Sequence, residues 1–307
     1  MKIRKLLNRE NFTAFGYLAG WRVVRLIPLP LARALFNFAA DRVSRNGRGM
    51  EQLRANLSRV VGSENVTRAL VRASTRSYAR YWMEAFRLPS IARDPDLMDQ
   101  LRDGFVGLEL LDASLERGDG VILTLPHTGN WDLAGAFLVD HHGQFTTVAE
   151  RLRPKRLFDA FVEFRESLGF EVIPLDGGQT PPFIRLREVL ERGGVVCLLG
   201  ERDLRRSGVR TRFFGETTSM PAGPAQLAIE TGAALHVVHS WFEGDGWGLS
   251  VSDAVEVDEL SATVQRISDL FAANIAAHPQ DWHMLQPLWF ADLDPDRGPL
   301  AADRDGD

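Results

Sequence analysis

The stretch from Val121 to Gly135 constrains the fold of this chain more than any other. It begins with an apolar run, Val-Ile-Leu-Thr-Leu, which is typical of a strand buried on both faces. The run breaks at Pro126, and an apolar helical pattern resumes at about Trp131. His127 lies in the turn between the two elements, at the carboxyl end of the predicted strand. Open α/β sheets bind their substrates at that edge, so His127 is a candidate catalytic residue.

A carboxylate follows this histidine at a useful spacing. Four residues separate His127 from Asp132. If Asp132 lies in the first turn of the helix, its carboxylate comes near the imidazole, where it would fix the tautomer and raise the basicity of the ring. In the alternative interpretation, Asp132 is only a favourable charge at the helix start and His127 only fills the turn. The strand–turn–helix context favours the functional interpretation.

From Phe105 onward, short apolar runs alternate with helical patterns, which indicates a parallel sheet covered by helices. We therefore predict an α/β fold with a mostly parallel central sheet flanked by helices, and an amino-terminal helical region that binds a membrane. The predicted regions are 1–104 for the amino-terminal part, 105–295 for the α/β core, which forms one compact unit with it, and 296–307 for a disordered tail. Strands are expected at 121–125, 145–149, 171–174, 195–199 and 234–241, with an edge strand at 249–257.

Composition removes several classes of function. The one cysteine in 307 residues excludes an intramolecular disulfide and a cysteine-based zinc cluster. Cys197 lies in an apolar run, so we expect a buried, inert thiol. His141 and His142 are adjacent and no HExxH motif is present, so we predict no metal, and the absence of GxxxxGK[ST] and GxGxxG makes ATP and NAD poor candidates. No apolar run is long enough for a membrane span, and no signal-peptide pattern follows the charged amino terminus.

The first 90 residues are strongly basic, with 17 Lys and Arg against 5 Asp and Glu. Such a region fits an anionic partner, either a membrane or a nucleic acid. Residues 11–29 are apolar and aromatic with basic flanks, as in a helix that lies in a bilayer interface. The alternatives are an ordinary packed helix and a solvated basic face; we predict contact with an anionic membrane surface and no nucleic acid. A later helix carries a basic stripe that favours lipid headgroups, namely Arg68, Arg72, Arg76 and Arg80.

Polar residues follow three of the predicted strands, and His127 is the one that follows the first of them. Because the carboxyl ends of parallel strands meet at one edge of a sheet, we expect these side chains to line one cleft, together with two arginines that supply positive charge. In the alternative interpretation, residues 201–203 are only a surface charge cluster. The candidate residues are His127, Glu150, Arg165, Glu201, Arg202 and Asp203.

The segment His-Thr-Gly-Asn-Trp-Asp at 127–132 is similar to the HxxxxD motif of glycerolipid and lysophospholipid acyltransferases. With Pro126 before it, the segment resembles the branch that acylates lipid A precursors and phosphatidylinositol mannosides. Within that branch the chain resembles the phosphatidylinositol mannoside acyltransferases through the blocks at 200–204 and 283–287, and Asp132 leans away from the lipid A enzymes, which usually end the motif with Glu. The resemblance covers residues 10–295, and it also depends on blocks at 78–82, 200–204, 213–215, 221–233, 278–282 and 283–287.

The resemblance implies an acyl-CoA-dependent acyltransferase that is peripheral to the cytoplasmic face of the plasma membrane. Its expected reaction moves a fatty acyl chain, with palmitoyl as the expectation, from acyl-CoA to a mannose hydroxyl of a phosphatidylinositol mannoside. Acyl-CoA is a co-substrate, and no cofactor is implied. In that family the carboxylate that orients the catalytic histidine comes from a later strand, where this chain has Glu201. Asp132 completes the motif and stays the second candidate for this role.

In the mechanism that we expect, His127 is the general base and no covalent acyl-enzyme forms, which agrees with the absence of a GxSxG motif. The oxyanion would be stabilised by backbone N–H groups after His127 and by the side chain of Thr128 or Asn130. The residues expected to bind mannose hydroxyls or the lipid phosphate are Glu150, Arg165, Arg202 and Asp203. The residues expected to line the acyl groove are Leu133, Phe137, Phe213 and Phe214.

Two other interpretations stay open at this point. One is an acyltransferase for a different acceptor, such as a lipid A precursor or a lysophospholipid, because short motifs do not encode the shape of a pocket. The other is a non-catalytic protein that binds lipid or nucleic acid through its basic amino-terminal region. A histidine paired with a carboxylate argues against the second interpretation, because a binding module has no need for such a pair.

Overall fold

The computed structural model describes residues 20, 23–92, 94–149, 155–175, 181–203 and 208–293. Glu150, most of the predicted interfacial segment 11–29 and the predicted tail 296–307 lie outside the described residues. The helices are α1 (Leu29–Val43), α2 (Glu51–Val61), α3 (Arg68–Ile91), α4 (Pro95–Gly104), α5 (Leu108–Arg117), α6 (Trp131–His141), α7 (Lys155–Glu166), α8 (Pro182–Leu190), α9 (Gly223–Thr231) and α10 (Leu260–Ala277).

A six-stranded sheet forms the centre of the molecule, in the order β3-β2-β4-β1-β7-β8. All neighbours pair in parallel except β8, which pairs antiparallel with β7. The mostly parallel sheet predicted from the sequence is therefore confirmed. The strands are β1 (Val121–Leu125), β2 (Thr146–Ala149), β3 (Glu171–Pro174), β4 (Val195–Leu199), β5 (Val209–Phe213), β6 (Glu216–Met220), β7 (Ala234–Glu243) and β8 (Gly246–Val251).

Helices cover both faces of the sheet. Alternate residues of a strand point to opposite faces, so Ile122 packs with residues of α8, α9 and α10, whereas Leu123 and Leu125 pack with residues of α5 and α6. Because both faces are buried, every residue of β1 lies in the interior. This burial explains why the central strands are continuous apolar runs in the sequence.

The amino-terminal helices share a core with the sheet region. Met83 and Phe86 of α3 pack in one cluster with Leu133 and Phe137 of α6. The two regions therefore pack against each other, while the boundary at residue 104 stays a prediction. Within the described ranges, no helix combines the length and the apolarity needed to cross a bilayer.

The predicted basic stripe on α3 has partners inside the protein, and its contact with lipid headgroups stays a prediction. The Nε groups of Arg72 and Arg76 donate to Oδ1 of Asp41 at 2.7 and 2.8 Å, and these bonds hold the pKa of Asp41 far below its usual range. Arg80 donates to Glu84 Oε1 at 2.6 Å and to backbone carbonyls after β7. Three of the four arginines therefore join α3 to neighbouring elements, because acidic and carbonyl oxygens lie within their reach.

The structure adds two elements that the sequence patterns do not predict, helix α4 and the antiparallel β5–β6 hairpin. The hairpin turns at Phe214 and Gly215, whose φ values of 50° and 81° are those of a tight two-residue turn. The edge strand expected at 249–257 lies earlier, at Gly246–Val251, because it pairs with β7 through a short turn.

Candidate active site

His127 lies in a turn that only a particular backbone conformation can form. The turn joins β1 to α6, and Asn130 Oδ1 caps the helix by accepting the N–H of Leu133 at 3.0 Å. Gly129 has a φ of 52°, and a Cβ at this position would lie 2.6 Å from the carbonyl carbon of Ser240. Glycine is therefore required here by conformation and by space, and the turn is held close against β7.

The carboxylate that contacts the imidazole of His127 belongs to Glu201. Oε1 of Glu201 accepts the backbone N–H of His127 at 2.7 Å and lies 2.6 Å from the ring Nδ1. Glu201 is completely buried, whereas the His127 side chain is 28% exposed. The pair forms because β4 lies beside β1 in parallel, so both strands end at the same edge. With its proton on Nδ1, the ring presents Nε2 as the free base.

Asp132 serves a different group, which settles the choice that the sequence left open. Its Oδ1 accepts from Nε of Arg165 at 2.8 Å, and its Oδ2 accepts from the hydroxyl of Tyr81 at 2.9 Å. Burial, reinforced by the charge of Asp132, raises the pKa of Tyr81 well above its usual value, so the phenol stays a donor. Burial opposes the charge on Arg165, but Asp132 and Tyr81 outweigh it and raise the pKa of Arg165. Asp132 therefore holds a cation in place.

The segment after α10 holds the histidine turn from behind. The N–H of His283 donates to the carbonyl of His127 at 2.8 Å, and the N–H of Gly129 donates to the carbonyl of Asp281 at 2.9 Å. Ser77 Oγ donates to Asp281 Oδ1 at 2.6 Å and lies 3.0 Å from Nε2 of His283. We did not single out these residues from the sequence, although Asp281 and Tyr81 lie within the motif blocks at 278–282 and 78–82.

The side chains of Thr128 and Asn130 have partners inside the protein. Both are buried: Thr128 Oγ1 lies 3.2 Å from Nδ1 of His239, and Asn130 Nδ2 donates to Glu84 Oε2 at 2.8 Å. The N–H of Thr128 also has an acceptor, the carbonyl of Pro126 at 2.8 Å. These groups are occupied because a buried turn has to satisfy its own polar atoms. The role expected of the two side chains at an oxyanion therefore stays a prediction.

A cleft of about 280 Å³ opens in front of His127. Arg165 and Arg202 line it, so two of the predicted binding residues lie in one cavity with the histidine. Its walls are otherwise aromatic and aliphatic, and Trp131 contacts the ring of His127 edge to face with centroids 5.3 Å apart. The remaining lining residues include Tyr81, Trp82, Phe158, Phe161, Val162, Val172 and Leu175.

Asp203 does not join this cleft. Its Oδ2 accepts the N–H of Gly208 at 2.6 Å and the hydroxyl of Ser219 at 2.8 Å, so it fixes the chain near β6. Asp203 lines a neighbouring cavity of about 440 Å³ instead. Its carboxylate accepts from two donors of the protein, so the expectation that Asp203 binds substrate stays a prediction.

An apolar cavity lies between α6 and the sheet and shares Trp131 and Arg165 with the cleft. Phe137 lines it, as expected for the acyl groove. Leu133 packs instead in the cluster between α3 and α6, and Phe213 packs on the opposite face of the sheet, so these two expectations are wrong. Cys197 also lines the cavity, and burial raises the pKa of its thiol far above its usual value. Within the part of the chain that the structure describes, no group of acidic, histidine or cysteine side chains could hold a metal ion.

Comparison with known proteins decides the family. The family model described as "Bacterial lipid A biosynthesis acyltransferase" matches residues 2–290. The chain belongs to this acyltransferase family. It is 55% identical over 289 residues to a phosphatidylinositol mannoside acyltransferase of Mycolicibacterium smegmatis, covering 93% of this chain and 94% of that protein. It is 53% identical to the phosphatidylinositol mannoside acyltransferase of Mycobacterium tuberculosis strain H37Rv, covering 93% of this chain and 91% of the relative.

The buried histidine behind the site makes the stability of this acyltransferase depend on pH. Burial, followed by the charge of His127, lowers the pKa of His283 from 6.5 to about 3. Below pH 6.5 the unfolded chain binds a proton that the folded chain rejects, so the free energy of unfolding falls as the solution becomes more acidic. We expect His283→Gln to lessen this decline by up to about 1.4 kcal/mol per pH unit between pH 6 and pH 4.

The measurement is urea unfolding of the parent chain and the variant at several pH values in that window. His142→Gln, which removes an exposed imidazole, is the matched control and should keep the slope of the parent chain. An unchanged slope for His283→Gln would contradict the neutral, buried state of His283.

Proposed function

We propose that this acyltransferase moves a fatty acyl chain, palmitoyl by expectation, from acyl-CoA to a mannose hydroxyl of a phosphatidylinositol mannoside. The main support is the His127–Glu201 pair, whose histidine lines a cleft with two arginines, and this cleft shares Trp131 and Arg165 with an apolar cavity. A sugar with a phosphate suits the cleft, and an acyl chain suits the cavity. The acceptor is inferred from relatives that share more than half of their aligned residues with this chain.

The reaction needs one base and one acid, and His127 supplies both in turn. Nε2 removes the proton of the mannose hydroxyl as its oxygen attacks the thioester carbonyl. The Glu201 carboxylate holds the ring through Nδ1–H and stabilises the imidazolium that forms. Collapse of the tetrahedral intermediate breaks the C–S bond, and the imidazolium returns its proton to the departing CoA thiolate. The ester and the free thiol are the products, and no group of the protein is acylated.

Direct transfer is favoured because the described residues that line the cleft include no activated nucleophile. Cys197 is the one thiol of the chain, and its raised pKa keeps it protonated in the wall of the apolar cavity. Arg165 and Arg202 supply positive charge where the acceptor phosphate and the developing oxyanion need it. Asp132 holds the guanidinium of Arg165, so the position of this cation does not depend on the substrate.

Replacing the two members of the dyad should separate their roles. His127→Gln removes the base, and general base catalysis contributes about 100-fold to 10,000-fold, so the rate of transfer should fall by that factor. Glu201→Gln keeps an acceptor for Nδ1–H but removes the charge that stabilises the imidazolium, so its kcat should fall less. The measurement is mass spectrometry of products from palmitoyl-CoA with a panel of lipid acceptors. Folded His127→Gln protein with near-normal transfer would overturn the proposal.

Asp132→Asn should act through the substrate and not through the base. The change leaves Arg165 without its charged partner, so we expect a higher KM for the acceptor and a pH profile of kcat like that of the parent enzyme. Unpairing a buried arginine costs about 3–5 kcal/mol, so the free energy of unfolding must be measured as well. Tyr81→Phe, which removes only the hydroxyl bond to Asp132, is the milder companion variant. A shifted pH profile for both variants would instead place Asp132 in the proton transfer.

The membrane part of the proposal depends on α1, not on the basic stripe. Leu31, Leu35 and Phe38 lie on one face of α1 and are 52%, 47% and 67% exposed, while Ala32 and Ala40 face the core. A continuous exposed apolar face on a helix in a strongly basic region suits the surface of an anionic bilayer. We infer peripheral attachment at the cytoplasmic face of the plasma membrane, where acyl-CoA is available.

Changing Leu31, Leu35 and Phe38 together to Ser should weaken binding to vesicles that contain phosphatidylglycerol by more than tenfold. Each large apolar side chain contributes up to about 1.5–3 kcal/mol when it is fully buried, so partial insertion of three suffices for this loss. Cosedimentation with vesicles is the measurement. Val106→Ser with Ile184→Ser removes exposed apolar residues elsewhere and is the matched control. Equal binding by the triple variant and the control would exclude α1 as the attachment surface.

A further inference from the structure

We propose that Glu84 is a positioning residue, which fixes the start of α6 and, through it, the side of the cleft that carries Arg165. This inference rests on the proposed function, because its kinetic readout is transfer to the acceptor. Glu84 lies on α3 and is not among the described residues that line the cleft, yet it is only 2% exposed. Burying a carboxylate is costly unless its oxygens are hydrogen-bonded, so the partners of Glu84 indicate what it does.

Glu84 accepts from three donors that belong to three parts of the fold. Its Oε1 accepts from Nε of Arg80 at 2.6 Å, one turn earlier on the same helix. Its Oε2 accepts from Nδ2 of Asn130 at 2.8 Å and from Nε1 of Trp247 on β8 at 2.7 Å. All three atoms can only donate, so a carboxylate suits this place better than an amide, whose own N–H groups would face one of the donors.

Arg80 keeps Glu84 from following a partner that moves. Its Nη1 donates to the carbonyl of Gly244 at 2.7 Å, and its Nη2 donates to the carbonyl of Gly246 at 2.9 Å. The guanidinium also lies 4.1 Å from the ring centroid of Phe242. Because these residues belong to the β7–β8 hairpin, the carboxylate of Glu84 is fixed to the antiparallel edge of the sheet.

Glu84 determines which way the amide of Asn130 faces. Oδ1 of Asn130 caps α6 by accepting the N–H of Leu133 at 3.0 Å, while Nδ2 is held by Glu84. If the amide turned over, Nδ2 would face the N–H of Leu133, and α6 would lose its cap. The carboxylate disfavours that orientation, because the amide oxygen would then face Oε2. Glu84 therefore holds the first turn of α6 in its capped conformation.

The two residues that follow Asn130 shape one side of the cleft. The ring of Trp131 contacts the ring of His127 edge to face, with centroids 5.3 Å apart. Asp132 Oδ1 accepts from Nε of Arg165 at 2.8 Å, and Arg165 lines the cleft. Because both side chains extend from the first turn of α6, a shift of that turn moves the indole and the cation together. The binding of the acceptor phosphate should therefore depend on Glu84.

The catalytic base is held by other groups. Oε1 of Glu201 accepts the backbone N–H of His127 and lies 2.6 Å from its ring Nδ1, and the N–H of His283 donates to the carbonyl of His127. A change at Glu84 should therefore weaken acceptor binding more than it weakens base catalysis. A merely structural role would give a different result, because loss of folded protein lowers the amount of active enzyme and leaves KM unchanged.

The kinetic test uses Glu84→Gln and Asn130→Ser. The first change removes the charge, and the second keeps a hydroxyl that can cap α6 but is too short to reach Glu84. Each should raise the KM for the acceptor about tenfold, the usual effect of losing one hydrogen bond to a charged group, and keep the pH profile of kcat. The double variant should have the KM of the single variants, because Glu84 acts through Asn130. Effects that multiply would overturn the inference.

Asp292→Asn is the matched control. Asp292 is another largely buried carboxylate, and it accepts from Nη1 and Nη2 of Arg59 at 2.7 and 2.8 Å. Neither residue is among the described residues that line the cleft. The control should lower the free energy of unfolding, measured in urea, and keep the KM of the parent enzyme. If Glu84→Gln gives this same result, Glu84 only stabilises the fold and the inference fails.

Fluorine NMR of protein that contains fluorotryptophan gives a readout that needs no transfer. The signal of Trp131, assigned with Trp131→Phe, should shift in Glu84→Gln and in Asn130→Ser, because both changes release the start of α6. The signal of Trp289, which packs in the core cluster with Ile122, should stay in place. If the parent chain acylates no mannoside but the Trp131 signal shifts, the proposed acceptor fails and the positioning role stands. An unshifted Trp131 signal in both variants would overturn the inference for any acceptor.

Discussion

The geometry of the candidate active site depends on one carboxylate oxygen of Glu201. Oε1 of Glu201 accepts the backbone N–H of His127 and also lies beside Nδ1 of its ring. A single buried atom therefore fixes both the main chain and the side chain of the histidine. This arrangement requires β1 and β4 to be parallel neighbours that end at the same level, as their register shows. Because Glu201 is completely buried, its carboxylate acts on the imidazole through a less polar medium than bulk water. The parallel pairing of β1 and β4 therefore aligns His127 with Glu201.

A turn that leaves a buried strand has to satisfy its own polar groups, and this need explains the surroundings of His127. The carbonyls of His127 and Thr128 accept from His283 N–H and Ser240 Oγ, and the N–H of Gly129 donates to Asp281. The partners come from two places in the fold, so the turn is held from β7 and from the segment after α10. Burial lowers the pKa of His283 to about 3, which keeps the ring beside the base uncharged when the base becomes protonated. A second imidazolium there would oppose the proton transfer on which the proposed reaction depends.

The sequence predicts the sheet, the His127 turn and the approach of Glu201, because apolar runs and parallel strand ends follow from periodicity and topology. It does not decide between Glu201 and Asp132, because spacing along a helix gives proximity and not the direction of a side chain. Thr128 and Asn130 look like free donors in the sequence, yet the buried turn uses both. The β5–β6 hairpin escapes prediction because its strands are polar and its turn contains Phe214, a residue seldom found at positive φ. The bond from the Ser219 hydroxyl to Asp203 is likewise not predictable from the sequence pattern, because it depends on the position of β6.

The carboxylates of Glu201 and Asp132 have different partners because the two residues lie at different places in the secondary structure. Glu201 ends a strand and reaches the imidazole, whereas Asp132 begins α6 and faces α3 and α7, where Tyr81 and Arg165 lie. Tyr81 stacks on Trp131 with ring centroids 3.8 Å apart, and Trp131 in turn contacts the ring of His127. The rings of Tyr81 and Trp131 therefore connect the Asp132–Arg165 pair with the His127–Glu201 pair. With Asp132 engaged by two donors, it does not compete with Glu201 for the proton on Nδ1. The motif spacing that suggests a histidine–aspartate pair thus places an imidazole and a fixed cation on the same cleft, as the proposed reaction requires.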